Sequence, residues 1–363
     1  MRTLVKHPRF RLLVAVIIVL MLVSLFVVFM PVRSRWDARH AVGNDASGYR
    51  YLVLGNPQDV VTETRPGVVL KGGGTDLDEA FQWMIRRSGG GDFLVVRSGG
   101  TDAYNDYIYD MTAPGGKRAD SVATLIVTKR SASSDPFVIQ KIREAEAIWI
   151  AGGDQGKHLD MWRGTPAGAA IQELIDHGVP IGGTSAGLDV LGEYSYSAEA
   201  DTKTDRDLSS SQALRDPHHP RIMIRGDFLH LPFLNHTLLD SHFVNESRHG
   251  RMAVFLSRLA AINPEREARG IGIDRRTALL VEPDGSAQVI TDPNYPLGTA
   301  TFFRLNHQAE VCEPGHPLTV TKIEATEFRR GDRLSLSHWG TSGGRVYWLS
   351  VNKGVVSTTP HSR

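Results

Sequence analysis

The sequence predicts an α/β fold, a parallel sheet with helices on both faces. Short apolar runs of strand length alternate with amphipathic helical periods from residue 67 to about residue 281. Several of those runs end in glycine clusters, at Gly72-Gly73-Gly74, Gly152-Gly153 and Gly182-Gly183. Strands that are apolar throughout are buried on both faces, as in a sheet covered by crossover helices. In such sheets the site lies beyond the carboxyl ends of the strands, so the glycine turns are expected to face one crevice.

The elements follow in order. Gly67-Val68-Val69-Leu70-Lys71 reads as a buried strand, and Thr75 or Asp76 as the cap of the next helix. Along that helix Leu77, Ala80, Phe81, Met84 and Ile85 recur with helical spacing, and Gly89-Gly90-Gly91 stops it. Asp92 to Arg97, Ala123 to Val127 and Ala147 to Ala151 read as strands. Pro136 to Ala145 and Ala167 to His177 read as helices. Ile271 to Asp274 and Ala278 to Val281 are expected to form a hairpin-like edge. From about Asp292 short alternating strands, at Leu318-Thr319-Val320, Leu334-Ser335-Leu336 and Tyr347 to Val351, predict a small C-terminal β appendage. The expected divisions are residues 1–34, 35–66 as a tether with at most one peripheral strand, 67–290 as the α/β domain, and 291–363 as the appendage.

Residues 1–11 hold four cations and no acid, and Leu12 to Met30 then runs with Ser24 as its one polar residue. That length nearly spans a bilayer core and exceeds the usual apolar stretch of a signal peptide. Without an A-x-A-like cleavage site, it predicts an uncleaved signal anchor with the bulk of the chain outside the cytoplasm; a cleaved, secreted form is the other outcome. A formal net charge of +1 with 22% charged residues gives no sign of nucleic-acid binding. Cys312 is the single cysteine, which excludes an internal disulfide framework and a cysteine-rich metal site. No dinucleotide fingerprint or Walker A motif occurs, so no cofactor is expected. His218-His219, without a spaced carboxylate or cysteine, reads as solvated inside the long polar stretch Ser197–Pro220, itself a lid or a surface excursion.

Gly183-Thr184-Ser185-Ala186-Gly187 fits the G-x-S-x-G nucleophile elbow in its proper context, after an apolar run and before a helix. Such a turn raises a hydroxyl at a helix N-terminus, where backbone N–H groups can hold an oxyanion. A serine nucleophile needs an imidazole within reach. His242, which ends the apolar run Leu238-Leu239-Asp240-Ser241 before a polar turn, is the strongest candidate.

Five segments carry a family resemblance: Gly72-Gly73-Gly74-Thr75-Asp76, Ala151-Gly152-Gly153-Asp154-Gln155, Gly182 to Gly187, Asp240-Ser241-His242-Phe243 and Gly270-Ile271-Gly272-Ile273-Asp274. With them the stretch from Gly67 to Val281 resembles the cyanophycinase-like members of the S51 serine peptidases. The resemblance implies a flavodoxin-like fold of the class I glutamine amidotransferase type, with serine in place of that group's cysteine. It also implies hydrolysis of aspartyl or β-aspartyl peptide bonds. Ser185 matches the nucleophile and His242 the base, with the N–H groups of Gly153 and Ala186 as oxyanion donors. Gln155, Asp240, Arg248 and Arg251 match positions that line or support the substrate pocket.

Two departures stand out. The family's orienting glutamate follows the Gly-Ile-Asp run, where this chain has Arg275, and its arginine four residues after the histidine is here Glu246. Loss of the acid in a serine protease costs about 10⁴ in kcat, and a cation should in addition oppose protonation of His242. Asp274 should face away from residue 275 on a strand, while Asp201 and Glu246 are conceivable replacements; the triad acid is thus unassigned. The expectation is a membrane-anchored, extracytoplasmic serine hydrolase of peptides, with a homodimer left open. The alternative is a weakened or inactive binding protein that keeps the pocket. A glutamine amidotransferase is disfavoured because no cysteine sits at the elbow.

Overall fold

The computed structural model describes residues 39–198, 207–339 and 343–361. The expected anchor at residues 12–30 and Asp201 lie outside them. Among the described residues no helix is long and apolar enough to cross a membrane.

The strands are β1 (His40–Asn44), β2 (Tyr49–Gly55), β3 (Val68–Lys71), β4 (Phe93–Arg97), β5 (Ser121–Val127), β6 (Ala147–Ile150) and β7 (Ile181–Thr184). A two-stranded ribbon, β8 (Ser195–Tyr196) and β9 (Ile224–Arg225), comes next. Then follow β10 (Thr237–Asp240), β11 (Ala268–Ile273), β12 (Thr277–Val281), β13 (Ser286–Thr291) and β14 (Thr299–Leu305). The last are β15 (Val320–Arg329), β16 (Arg333–Ser335), β17 (Arg345–Asn352) and β18 (Val355–Pro360). The helices are α1 (Asp78–Arg87), α2 (Ala103–Tyr109), α3 (Pro136–Arg143) and α4 (Gln155–Trp162). They continue with α5 (Pro166–Asp176), α6 (Ala186–Asp189), α7 (Ser210–Arg215) and α8 (His249–Ile262).

Among the described residues the larger sheet has the order β1-β2-β5-β4-β6-β7-β3-β12-β13-β16. Its centre, β5-β4-β6-β7-β3, is parallel as expected. Its flanks are antiparallel, so the sheet is mixed rather than wholly parallel. Strand periodicity sorts the core. Leu94, Val96, Ile148 and Ile150 face the side packed by Val138, Ile142, Ala170 and Ile171 from α3 and α5. Phe93, Val95 and Trp149 face the other side, with Phe81, Met84 and Ile108 from α1 and α2. The helical spacing predicted for α1 holds, with Ala80, Phe81, Met84 and Ile85 buried, but neither Thr75 nor Asp76 caps it. Leu77 occupies the cap position without a side-chain bond, because the Asp76 carboxylate is taken by Lys71 and the Tyr104 hydroxyl.

Three expectations change. The tether contributes two strands, β1 and β2, and β2 pairs along its whole length with β5. β11 and β12 form no hairpin: the chain crosses from one sheet to the other at Asp274–Arg276. The C-terminal strands are no appendage either. β14, β15, β17 and β18 build a second sheet, β10-β11-β14-β15-β17-β18, onto strands from the middle of the chain, while β16 joins the first. The apolar faces of β11, β14, β15 and β17 need cover, and α8 supplies it through Met252, Phe255 and Leu256 against Phe303, Leu349 and Val351.

Candidate active site

The elbow follows β7, in the larger sheet. Ser185 adopts φ 53°, ψ −126°, a conformation that costs a non-glycine residue energy and is held by the surrounding structure. Its N–H donates to Lys71 O at 3.2 Å. The flanking glycines are steric requirements: a Cβ at Gly183 would lie 2.3 Å from Gly187 O, and one at Gly187 would lie 2.0 Å from Ile150 O. The hydroxyl is thus fixed where α6 begins.

His242 arrives from the second sheet, at the end of β10, with φ 47°. Its N–H donates to Gly72 O at 2.9 Å. A Cβ at Gly73 would lie 2.3 Å from the imidazole Cε1, so the ring needs the space that this glycine leaves. The result is a Ser185 Oγ to His242 Nε2 distance of 2.8 Å. A Cβ on Gly152 would lie 3.3 Å from that of Ser185, which sets the Gly152-Gly153 turn beside the hydroxyl. Gly153 is exposed in that turn and Gln155, half-buried, opens α4 behind it. Ala186 is the first residue of α6, where a backbone N–H has no intrahelical acceptor. All three glycine clusters therefore reach one site.

Arg275 lies at the crossing between the sheets and points at the imidazole. Its Nε donates to His242 Nδ1 at 2.7 Å, and its Nη2 donates to Glu246 Oε1 at 2.6 Å. The other Glu246 oxygen accepts from Arg248. A guanidinium carries donors only, so Nδ1 is an acceptor and the proton of the neutral ring sits on Nε2. Ser185 Oγ then accepts from the ring rather than donating to it, the reverse of the polarity a general base requires. Burial and the nearby Arg248 lower the His242 pKa to about 4, with Arg275 and Lys71 adding to the effect and Glu246 opposing it. Asp274 faces away, as expected. It is buried and accepts from the N–H groups of Val244 and Thr299 at 2.8 and 2.9 Å.

Asp240 and Arg251 support the site from beneath and do not line it, being 2% and 1% exposed. Asp240 receives Arg251 Nε at 2.9 Å and Arg248 Nη1 at 3.1 Å, while Asp207 takes both arginines from the other side. Asp189 lies against this group and holds Ser241, the neighbour of His242, through its N–H at 2.8 Å. Burial and then Asp240 push the Asp189 carboxyl up to about 7.

Asp189 and Asp207 were not singled out from sequence, and neither were Lys71 and His158. Lys71 is fully buried at the end of β3, with Nζ 3.0 Å from Gly74 O and 3.3 Å from Thr184 Oγ1, and burial lowers its pKa. A cation closing an apolar run just before a glycine turn was its signal. His158, buried in α4, meets Ala151 O at 3.0 Å and so braces the Gly152-Gly153 turn; its helical position gave no hint of that.

With this geometry in place, comparison with known proteins is direct. The profile of Peptidase family S51 matches residues 98–289, more than half of the chain. The chain belongs to this family. The cyanophycinase of Trichormus variabilis is 27% identical over 219 residues, 60% of this chain and 66% of that protein, just under two thirds of its length. The cyanophycinase of Synechococcus elongatus is 27% identical over 262 residues, 70% of this chain and 73% of that one. A solved peptidase from an acI-B1 Actinobacterium covers 75% of this S51 chain and 98% of its own at 18% identity. Its TM-score of 0.49 is too low to bear on the site.

Two outcomes follow. Arg251→Ala leaves the buried Asp240 with Arg248 as its one remaining arginine, and such a loss should cost up to about 3–5 kcal/mol, read as a lower urea midpoint; a cost below about 1 kcal/mol would contradict the buried cluster. His242 titrates at about 4 when folded against 6.5 for the ordinary group. The unfolded chain therefore takes up the proton first, and this stabilising contribution is lost as pH falls from about 6.5 towards about 4. NMR titration of the His242 ring should place its midpoint near 4, and a midpoint at 6.5 or above would contradict it.

Proposed function

We propose that this protein is a serine-type peptidase acting on aspartyl or β-aspartyl peptide bonds. The observation that carries the reading is Ser185 on its constrained elbow, 2.8 Å from His242 Nε2. In the tautomer that carries its hydrogen on Nδ1, Nε2 would take the Ser185 proton while Oγ attacks the carbonyl carbon, and the N–H groups of Gly153 and Ala186 would hold the oxyanion. The imidazolium would then protonate the leaving amine, and water would release the acyl group by the same route. Arg275, its side chain 48% exposed beside His242, is a cation that an acidic substrate would meet. The cyanophycinase relatives support the substrate class by likeness alone.

The second reading, a binding protein with little turnover, is favoured by Arg275, which sets His242 in the wrong tautomer for a base. In serine proteases a wrong tautomer costs about 10⁴ in kcat without abolishing catalysis, so the peptidase reading predicts slow turnover rather than none. From Leu12–Met30 and its basic flank we also place the protein on a membrane, with its peptidase domain outside the cytoplasm.

One experiment addresses both points. Membrane and soluble fractions of cells making the full chain are assayed with a β-aspartyl dipeptide, beside the Ser185→Ala variant. Activity should pellet with membranes and disappear in the variant while its circular dichroism is unchanged. Undiminished turnover in Ser185→Ala would remove Ser185 from the chemistry, and activity confined to the soluble fraction would remove the anchor.

A further inference from the structure

His242 cannot act as a base while Arg275 holds Nδ1, and this constraint has two parts. The donor-only guanidinium fixes the proton on Nε2. Once Nε2 had taken the serine proton the ring would carry hydrogens on both nitrogens, and Nδ1–H would then face Nε–H of Arg275 with no acceptor between them. Productive chemistry therefore requires the guanidinium to leave Nδ1 and an acceptor to replace it.

The surroundings supply both parts. The Arg275 side chain is 48% exposed, so an incoming group can reach it from solvent. Glu246 is 31% exposed and stands one short turn from His242, its N–H donating to His242 O at 3.1 Å. One Glu246 oxygen is held by Arg275 and the other by Arg248. If Arg275 withdraws, Glu246 Oε1 loses its partner while Arg248 keeps the carboxylate in place. Among the described residues, the charged groups that act most strongly on the ring are Arg248, Glu246, Arg275 and Lys71, and of these Glu246 is the anion.

We propose that Arg275 is a positioning and specificity residue: a substrate carboxylate draws its guanidinium off His242 Nδ1, and Glu246 then accepts the hydrogen bond from Nδ1–H. The exchange is balanced, since Nε2 gives a proton to water and Nδ1 takes one from water. The ring then has a lone pair on Nε2 to receive the Ser185 proton. An anion binds a guanidinium well and bidentately, whereas a neutral substrate has no means of displacing it. The site would thus select for a carboxylate through its own activation. This rests on the peptidase reading for its consequence, but the tautomer itself can be read without any turnover.

The test is ¹⁵N NMR of the full chain labelled at histidine, with the His242 ring signals assigned by their loss in His242→Gln. Without ligand, Nδ1 should be pyridine-like and Nε2 pyrrole-like. Addition of succinate, as the carboxylate probe, should exchange the two. Arg275→Ala should show the exchanged pattern without succinate and no further response to it. Arg275→Ala combined with Glu246→Gln should lose that pattern's Nδ1–H preference. A pyrrole-like Nδ1 in the free parent overturns the proposal, as do parent shifts unmoved at the highest succinate concentration. A double variant identical to Arg275→Ala removes Glu246 from it. Failure of the peptidase reading would instead appear as absent hydrolysis with these NMR responses intact.

Discussion

His242 reaches Ser185 only because two sheets meet at Gly72-Gly73. Ser185 stands at the end of β7 in one sheet, and His242 at the end of β10 in the other. Gly72 O accepts from His242 N–H, Gly73 O accepts from Arg276 N–H at 2.8 Å, and Gly72 N–H donates to Thr277 O at 3.0 Å. One turn therefore fixes the histidine and the crossing that carries Arg275. A side chain at Gly73 would occupy the place of the imidazole. Much of the rest of the site, the elbow geometry included, has meaning only if this junction holds.

Beneath the junction lies the ion cluster of Asp240, Arg248, Arg251 and Asp207, with Asp189 against it. Burying such groups is expensive, and paired buried charges are a weak argument for stability. Their value here is positional. Asp189 holds Ser241, and Arg248 donates to Ser241 O at 2.8 Å, so the residue before His242 is fixed from two sides. Arg248 also steadies Glu246, which connects the buried cluster to the exposed rim where Arg275 sits.

Much of this was legible in the chain. Uniformly apolar runs such as Ala147–Ile150 announce a doubly covered sheet, and the glycine clusters mark the turns that reach the site. Ser185 was visible because an elbow has a local pattern, and His242 because a serine needs a base. The second sheet was not legible: β10, β11 and the C-terminal strands pair across long separations, and strand alternation names no partner. Whether Arg251 lines the pocket or supports it was left open for a similar reason, since a charged residue in an apolar helix can line a pocket or be buried against a carboxylate, and only packing decides. The hydrogen bond from Arg275 to Nδ1 was half-visible. Its charge at that position was plain, but that a donor would occupy Nδ1 required the geometry of the crossing.

The central claim is that Ser185 and His242 form a competent pair restrained by the residue on Nδ1. It is tested most directly by comparing the parent with Arg275→Glu on p-nitrophenyl acetate, a neutral ester that cannot compete for the guanidinium. Replacing donor by acceptor should restore the productive tautomer and raise kcat/KM by about 10² to 10⁴, with the gain abolished by adding Ser185→Ala. Equal rates for the two proteins would contradict the account.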